Sequence, residues 1–508
     1  MRSAWCVVFV TATALGASVA AAEPVRVGHP IGVRGGTCGT EAVPSAVAST
    51  ALPHHHISKV LFVNRCSGGC NLTAADQQNA PMNVTAVPGI PRGQNYTVPE
   101  FKNFAGQTGA AADAEWAQIV ACVAETYSYF DVQVTDQRPV SGSYHMAVVG
   151  GTQAAIGLQI DGLLGISQLD CASALDNVIS FTLADAHRPL AGSAQNYVRD
   201  LCTTITHEVG HAFGLQHEFR FISDNSSACS DPMSYDTGTC NPDQRYFRNK
   251  IAACGRFEEE PCNCPNNPPN SHQLLTQVFG MGTPTVPPPT VAFTTPAQAG
   301  GAINNLVAVT SGSKRGVERV ELYLNGWKWG TVQGARFATG GGQPNPSPYA
   351  FQLPANVPNS LYDIEVRSYD DVGGMTSVTT TATKGAPCTS ADTCNKGQKC
   401  EGGKCFWDPP AGEIGDDCTY NEFCTSGVCA GTADQTICTQ NCIPGVGDSC
   451  PEGSGLTCVG MGAQGVCFPV DDGGGCCSVG TSDSSVPWAP IALGLGLFGF
   501  VVTRRRTR

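Results

Sequence analysis

The stretch HEVGHAFGLQH, residues 207–217, determines how the rest of the chain is interpreted. On a helix, His207 and His211 stand one turn apart on the same face, so both imidazoles can reach one metal ion. Glu208 projects beside that face, where a carboxylate can take a proton from a metal-bound water. The first five residues of the stretch therefore predict two metal ligands and a general base.

Gly214 and His217 complete the pattern. Glycine most readily adopts the left-handed backbone that ends a helix, so the chain can turn at Gly214. His217 then returns from outside the helix as a third nitrogen ligand. Three protein ligands and one open position are typical of a catalytic zinc site, whereas structural zinc sites close all four positions. The sequence thus predicts zinc at His207, His211 and His217 rather than histidines buried in an ordinary core helix.

This stretch resembles the signature of the metzincins, a clan of zinc endopeptidases. Members of the clan also carry a methionine-containing turn beneath the metal, and DPMSY at residues 231–235 is similar to it. The resemblance implies that Met233 supports the site without ligating the metal. It also implies that Tyr235, as in astacin-like members, helps to stabilise the tetrahedral intermediate. Glu218 is astacin-like too, but the short spacing between His217 and Met233 departs from that family.

Amphipathic segments surround the motif. Apolar spacing predicts helices over 114–130 and 198–213, and strands over 131–136, 144–150 and 177–184. The metzincin resemblance, which also has matrixin-like features, implies an α+β zincin-like catalytic domain over 55–280. We expect the sheet edge that pairs with an extended substrate at Asn177–Leu183.

The N-terminal end predicts secretion. Residues 1–22 combine one arginine, a short apolar run and small residues, which is typical of a signal peptide cleaved near Ala22. Residues 23–54 could form a propeptide. Cys38 lies in this segment and leaves two interpretations open. Its thiolate could occupy the open zinc position and hold a zymogen inactive, or it could be an ordinary disulfide-bonded or unpaired cysteine.

The C-terminal end, residues 471–508, predicts attachment to the cell surface. Cys476 and Cys477 precede an apolar segment at 486–502 and an arginine-rich tail. This arrangement resembles the C-terminal sorting signals of myxobacterial surface proteins, which implies processing near the cysteine pair and retention on the cell surface, with lipid modification of a cysteine as one route. A plain transmembrane anchor is the alternative. Both place the rest of the chain outside the cell, attached to the membrane or released from it.

Between these ends lie two further units. A proline-rich linker occupies 281–290, and alternating segments over 291–385 predict an Ig-like β-sandwich that acts as a spacer or adhesion module. We expect its core at Leu322, Leu324, Phe351, Ile364 and Val366.

Cysteine usage agrees with an oxidising compartment. The chain has 26 cysteines, and twelve of them fall within 386–470, where large apolar residues are few. Such a segment needs disulfides in place of a hydrophobic core, so we predict small Cys-rich modules. The first module holds Cys388, Cys394, Cys400 and Cys405. A zinc ribbon is disfavoured because CxxC pairs are absent. Cys229 and Cys240 flank Met233 and are candidates for pinning its turn, although other pairings stay open.

The net charge of −13 and a charged fraction of only 14% exclude the basic footprint of a nucleic-acid-binding protein. The predicted function is that of a secreted, surface-attached zinc endopeptidase acting on extracellular proteins or peptides. The metzincin resemblance leaves Ca²⁺ open as a stabilising ion, but no loop predicts a dedicated calcium site. The alternative is a non-catalytic adhesion protein in which a metal serves only to stabilise the fold.

Overall fold

The computed structural model describes residues 57–236, 240–264, 269–334, 347–431, 435–442, 450–451, 454–461 and 464–469. The chain forms two compact units, one ending at Asp408 and the other beginning at Pro409. The predicted signal peptide, propeptide and sorting tail lie outside the described residues, and so do Cys38, Cys476 and Cys477. Over the described ranges, no helix is both long and apolar enough to cross a membrane.

The first part of the chain is a mixed α/β arrangement. Its elements, in chain order, are β1 (Val60–Asn64), β2 (Cys70–Ala74), β3 (Val84–Thr85), β4 (Asn95–Val98), α1 (Asp113–Tyr127), β5 (Gln133–Thr135), β6 (His145–Val149), β7 (Gly165–Ile166), β8 (Ile179–Thr182), α2 (Ala184–Ala191), α3 (Ala194–Ala212), β9 (Glu218–Phe221), β10 (Ala252–Cys254) and α4 (Ser271–Phe279).

The central sheet has the strand order β5-β1-β6-β8-β7. The first four strands run parallel, and β7 pairs antiparallel with β8. The prediction that Asn177–Leu183 is a sheet edge is therefore wrong, because β8 lies between β6 and β7. The two-residue β7 forms the edge on this side of the sheet, and β5 forms the other edge. A strand of two residues has no alternation of apolar and polar side chains, which is why the sequence pattern did not reveal it.

Helix α3 packs against the sheet and against α1. Its first residue follows Ser193, whose side chain accepts a hydrogen bond from the Asn196 backbone N–H and so caps the helix. The apolar stripe of α3 faces a core that it shares with α1 and β1. Burying each large apolar side chain contributes about 1.5–3 kcal/mol. A disulfide between Cys122 and Cys202 joins the two helices, so α3 is held on two sides.

Two buried histidines, one on β6 and one on α2, are expected to make the fold sensitive to acid. His145 and His187 are 1% and 2% exposed, and burial lowers the pKa of each to about 3. The unfolded chain protonates near pH 6.5, so falling pH favours unfolding and stability is lost progressively from about pH 6.5 towards pH 3. Between pH 7 and pH 5 we expect each histidine to lower the free energy of unfolding by roughly 2 kcal/mol.

Denaturant unfolding at the two pH values, with a chelator present throughout, measures this effect. Because neither ring nitrogen of His145 has a hydrogen-bond partner among the described residues, His145→Leu removes the titration without orphaning another group. The variant should lose roughly 2 kcal/mol of the pH dependence. An unchanged pH dependence would show that His145 is protonated normally in the folded protein.

After residue 289 the chain forms two facing sheets. The strands are β11 (Thr290–Thr295), β12 (Gly301–Ala302), β13 (Leu306–Gly312), β14 (Arg319–Leu324), β15 (Trp327–Gln333), β16 (Ser347–Gln352), β17 (Ser360–Tyr369) and β18 (Met375–Lys384). One sheet has the order β11-β13-β16 and the other β12-β18-β17-β14-β15. A single apolar cluster draws on both sheets. All of the predicted core residues are buried in it, namely Leu322, Leu324, Phe351, Ile364 and Val366.

The C-terminal region is rich in disulfides, as predicted. Two small hairpin strands, β19 (Lys399–Glu401) and β20 (Lys404–Phe406), carry the bonds Cys388–Cys400 and Cys394–Cys405, and they belong to the first unit. The second unit contains β21 (Val428–Gly431), β22 (Thr436–Thr439), β23 (Asn441–Cys442), β24 (Leu456–Met461) and β25 (Gln464–Pro469). Its bonds are Cys418–Cys429, Cys424–Cys438, Cys442–Cys458 and Cys450–Cys467. Cysteines paired in this way are not thiolate ligands for a zinc ribbon.

Candidate metal centre

Three histidines converge on one point. His207 and His211 come from the last turns of α3, and His217 from the segment just before β9. The three ligand nitrogens all lie within 4.8 Å of one another, and the Nε2 atoms of His211 and His217 are 3.1 Å apart. All three side chains are buried. The structure thus brings together the three predicted ligands in a group that could hold a metal ion.

The turn after α3 makes this convergence possible. Gly214 has a φ of +95°, in the left-handed region that glycine enters without strain. The Leu215 N–H donates to the Gly210 carbonyl at 2.9 Å, closing the helix end. The chain therefore reverses over a few residues and returns His217 to the face that carries His207 and His211.

Backbone carbonyls fix the orientation of the two helical imidazoles. His207 Nδ1 lies 2.8 Å from the Pro232 carbonyl oxygen, and His211 Nδ1 lies 2.8 Å from that of Leu215. A carbonyl only accepts, so Nδ1 is the protonated nitrogen in both rings and Nε2 keeps its lone pair. Burial lowers the pKa of His211 to about 4 and holds the pKa values of His207 and His217 well below the ordinary value of a histidine. Neutral imidazoles of this tautomer are the form that binds a divalent metal.

Glu208 directly follows His207 on α3, is buried, and has no ion-pair partner among the described residues. Neither carboxylate oxygen, nor Nε2 of His207, has a hydrogen-bond partner among the described residues. Burial raises the pKa of the Glu208 carboxyl well above its ordinary value. Burying a polar atom costs free energy unless the atom forms a hydrogen bond or binds a metal ion. Nitrogen donors with a carboxylate beside them suit a divalent metal ion and its water, so the residues present fit such a group.

The segment 231–235 forms a tight turn below the histidines. The Met233 backbone N–H donates to Asp231 Oδ1 at 2.8 Å, and the Met233 side chain is fully buried. A Cβ on Gly210 would lie 2.7 Å from Met233 Sδ, so the turn and the helix approach closely only because residue 210 has no side chain. Met233 therefore packs beneath the ligand set.

Two clamps hold this turn. Arg245 Nη2 donates to the carbonyls of Asp231 and Ser234, both at 2.8 Å, and so spans the turn. A disulfide joins Cys229 to Cys240 on its flanks, which is one of the pairings that the sequence left open. Arg245 was missed by sequence reasoning, because a lone arginine ten residues beyond the turn carries no recognisable pattern.

Tyr235 lies against the ligands. Its ring centroid is 4.6 Å from that of His217 and 5.8 Å from that of His207. The side chain is 1% exposed. The structure thus places Tyr235 beside the three histidines.

Glu218 contacts the first residue of α4 through its carboxylate. Its carboxylate accepts from the Ser271 N–H at 3.2 Å, and its own N–H donates to the Met233 carbonyl at 3.1 Å. Burial, and then the nearby Asp231 carboxylate, raise the pKa of Glu218 well above its ordinary value. This residue joins the third ligand, the turn and α4.

Gln216, which directly precedes His217, is also held in place. The Gln216 side chain donates to the Cys264 carbonyl at 3.1 Å and accepts from the Cys264 N–H at 2.8 Å. Cys264 is bonded to Cys171, in the loop that follows β7. Gln216 lies inside the quoted motif, but nothing in the sequence indicates which backbone it contacts.

Comparisons with known proteins identify no family. No family model and no curated protein matches the chain. Among solved structures, similarity is found to OgpA from Akkermansia muciniphila, in one crystal form at 13% identity over 47% of this chain and 64% of that one, with a TM-score of 0.14. A second crystal form gives 11% identity over 66% and 95%, with a TM-score of 0.16. An engineered protein matches at 16% identity over 19% of this chain and 20% of its own length, with a TM-score of 0.14. The chain thus spans less than two thirds of the first structures it matches, and TM-scores this low do not establish a shared fold.

Proposed function

We propose that this protein is a zinc-dependent endopeptidase of the metzincin type. The observation that carries the proposal is a group of three buried imidazoles, two of them oriented by backbone carbonyls, next in the chain to a buried carboxylate that has no hydrogen-bond partner among the described residues. A site that only stabilises the fold has no need of Glu208 beside the metal, because a carboxylate that neither ligates nor pairs destabilises it.

His207, His211 and His217 would hold the zinc. When bound, zinc lowers the pKa of a coordinated water to around 7 and polarises a peptide carbonyl. Glu208 accepts the proton of the attacking water at a carboxylate oxygen and then delivers it to the leaving amine nitrogen. Tyr235 donates a hydrogen bond to the oxygen that gains negative charge. Met233 keeps the ligand set in place from beneath.

The edge strand β7 supports an extended peptide as substrate. It pairs with β8 on one side only, and no described strand covers its other side. Gly165 of β7 lies directly against Glu208, since a Cβ there would be 2.5 Å from Glu208 Oε1. A peptide added to this edge by main-chain hydrogen bonds would pass beside the general base.

Extracellular action is part of the same proposal. Eleven disulfides join the described cysteines, and bonds of this density persist in oxidising compartments. Extracellular proteins or peptides are the corresponding substrates.

Cleavage of casein by the secreted protein tests the function. Activity should be lost with a zinc chelator and restored when zinc is added back. If zinc binds but casein stays intact, residues 23 to about 53 should be removed. Activity that then emerges would show a latent zymogen, whereas continued inactivity would favour the adhesion alternative.

Replacing Gly165 on the edge strand β7 by alanine tests whether cleavage depends on the position of Glu208. Gly165→Ala places a methyl group 2.5 Å from Glu208 Oε1 and 2.8 Å from Thr204 Cγ2. We expect the carboxylate to be displaced and cleavage to fall about 10²-fold, since a misplacement of about 1 Å is sufficient for such a loss. Zinc content should be unchanged, because Glu208 is not a ligand.

Steady-state kinetics with a peptide substrate, alongside metal analysis, measures this. Gly301→Ala is the control, since its Cβ would approach nothing nearer than 3.1 Å. Full activity in Gly165→Ala would mean that Glu208 does not need its present position for cleavage.

A further inference from the structure

A buried cluster of charges joins the two-sheet region to the metal-binding part of the first unit. Arg248 lies shortly before β10, whereas Arg315 lies between β13 and β14, and Asp371 between β17 and β18. Their side chains are 0%, 1% and 1% exposed. Burying charges to this extent costs free energy, and a buried ion pair often stabilises a fold no more than apolar residues would. The contacts of these three side chains show which segments the cluster holds together.

Asp371 is the centre of the cluster. Arg315 donates to its two carboxylate oxygens at 2.6 Å from Nε and 3.0 Å from Nη2. Arg248 Nη1 donates to Oδ1 at 3.2 Å, and the Asn249 N–H donates to Oδ2 at 3.1 Å. The two guanidinium groups hold the pKa of the Asp371 carboxyl well below its usual range. Asp371 is therefore a fixed negative charge that holds both arginines.

Arg315 also reaches across to the metal-binding part. Its Nη2 donates to the Phe247 carbonyl at 2.5 Å, and its guanidinium lies 4.4 Å from the centroid of the Tyr129 ring. The Arg315 carbonyl accepts from Arg248 Nη1 at 2.6 Å. The loop that carries Arg315 is thus locked to the segment around Arg248 through both its side chain and its backbone.

From Arg248 the contacts continue to a metal ligand. The Arg248 N–H donates to Asp231 Oδ2 at 2.7 Å, and its Nε donates to the Ser230 carbonyl at 3.3 Å. Asp231 Oδ1 accepts from the Met233 N–H at 2.8 Å. The Pro232 carbonyl, between these two residues, is the acceptor that orients His207. One unbroken set of contacts therefore runs from Asp371 to a zinc-binding imidazole.

We infer that Asp371 is a positioning residue for the metal centre. It holds Arg248, which holds Asp231, which shapes the turn whose Pro232 carbonyl orients His207. The two-sheet region is then part of the metal-binding machinery and not merely a spacer. The inference builds on the proposed function in one respect, the identity of the metal as zinc.

Zinc affinity, measured by competition with a chelator, tests this in the full chain. Asp371→Asn keeps the shape of the side chain and removes its charge. We expect zinc affinity to fall about 10–100-fold, the loss that outer-shell changes produce, and Asp371→Glu to recover part of it. Glu365→Gln is the matched control, because Glu365 forms its ion pair with Arg367 on its own strand at 2.7 Å, and neither residue belongs to the cluster.

A double-mutant cycle identifies the route. If Asp371 acts through Asp231, adding Asp231→Asn to Asp371→Asn should cost much less affinity than Asp231→Asn alone. Fully additive losses would overturn the route. Should Asp371→Asn fail to fold, Arg315→Lys, which keeps the positive charge beside Asp371, is measured in the same way.

The outcomes separate this inference from the proposed function. Wild-type protein that binds no zinc would contradict the proposed function. Wild-type protein that binds zinc, together with a folded Asp371→Asn or Arg315→Lys variant of equal affinity but lower resistance to denaturant, would overturn the inference. The cluster would then be a structural joint only.

Discussion

Replacing Glu208 by alanine is expected to lower the rate of peptide-bond cleavage by about 10²–10⁴-fold, the usual contribution of a positioned general acid–base group. Zinc should stay bound at one per chain, because the ligand atoms belong to the three histidines. Without the carboxylate, the site lacks the group proposed to take the proton of the attacking water. The substitution also removes a buried carboxylate that has no hydrogen-bond partner among the described residues, so the variant should fold at least as well as the parent.

Steady-state kinetics and metal analysis on the same preparation measure this effect. Glu401→Ala, which alters an exposed glutamate on β19, is the control and should retain full activity. A Glu208→Ala protein that loses its zinc together with its activity would show that Glu208 binds the metal directly. Retained activity would remove it from the mechanism.

Replacing His217 by alanine is expected to weaken zinc binding by more than the roughly 10–100-fold cost of an outer-shell change, because it deletes a direct ligand. His207 and His211 alone leave two of four positions filled, fewer than the three protein ligands of a catalytic zinc site. Cleavage should be lost at any zinc concentration that keeps the parent protein active. His217 is the informative ligand to change, because it comes from outside the helix and its role depends on the turn at Gly214.

Zinc titration with a competing chelator measures the loss. His187→Asn, which alters a buried histidine on α2 that does not belong to the ligand group, is the control. Undiminished zinc affinity in His217→Ala would mean that the metal is held by another set of residues.

The candidate site was largely predictable because its geometry is local. Helical periodicity puts His207 and His211 on one face, and a single glycine at residue 214 predicts the turn that returns His217. These relations involve eleven consecutive residues, so the sequence carries them without knowledge of the rest of the fold. The turn around Met233 was predictable only by resemblance, since a methionine near a turn has no distinctive pattern of its own.

Relations between distant segments were not predictable in the same way. Nothing in the sequence indicates that Asp371 contacts Arg248, which lies 123 residues earlier. The disulfide pairings are a further example, because connectivity cannot be deduced from cysteine spacing. The edge strand was misplaced for a related reason: strand order depends on which segments pair, and the alternating ISFT of β8 does not indicate whether the strand lies inside the sheet or at its edge.

The account depends most on hydrolysis of peptide bonds at the zinc site. Mass spectrometry of a denatured protein substrate, after incubation with zinc-loaded protein, tests this directly, with and without residues 23 to about 53. We predict fragments whose masses sum to that of the parent plus one water for each cut, absent with chelator and absent with Glu208→Ala. Stoichiometric zinc with an intact substrate in both forms of the protein would contradict the account.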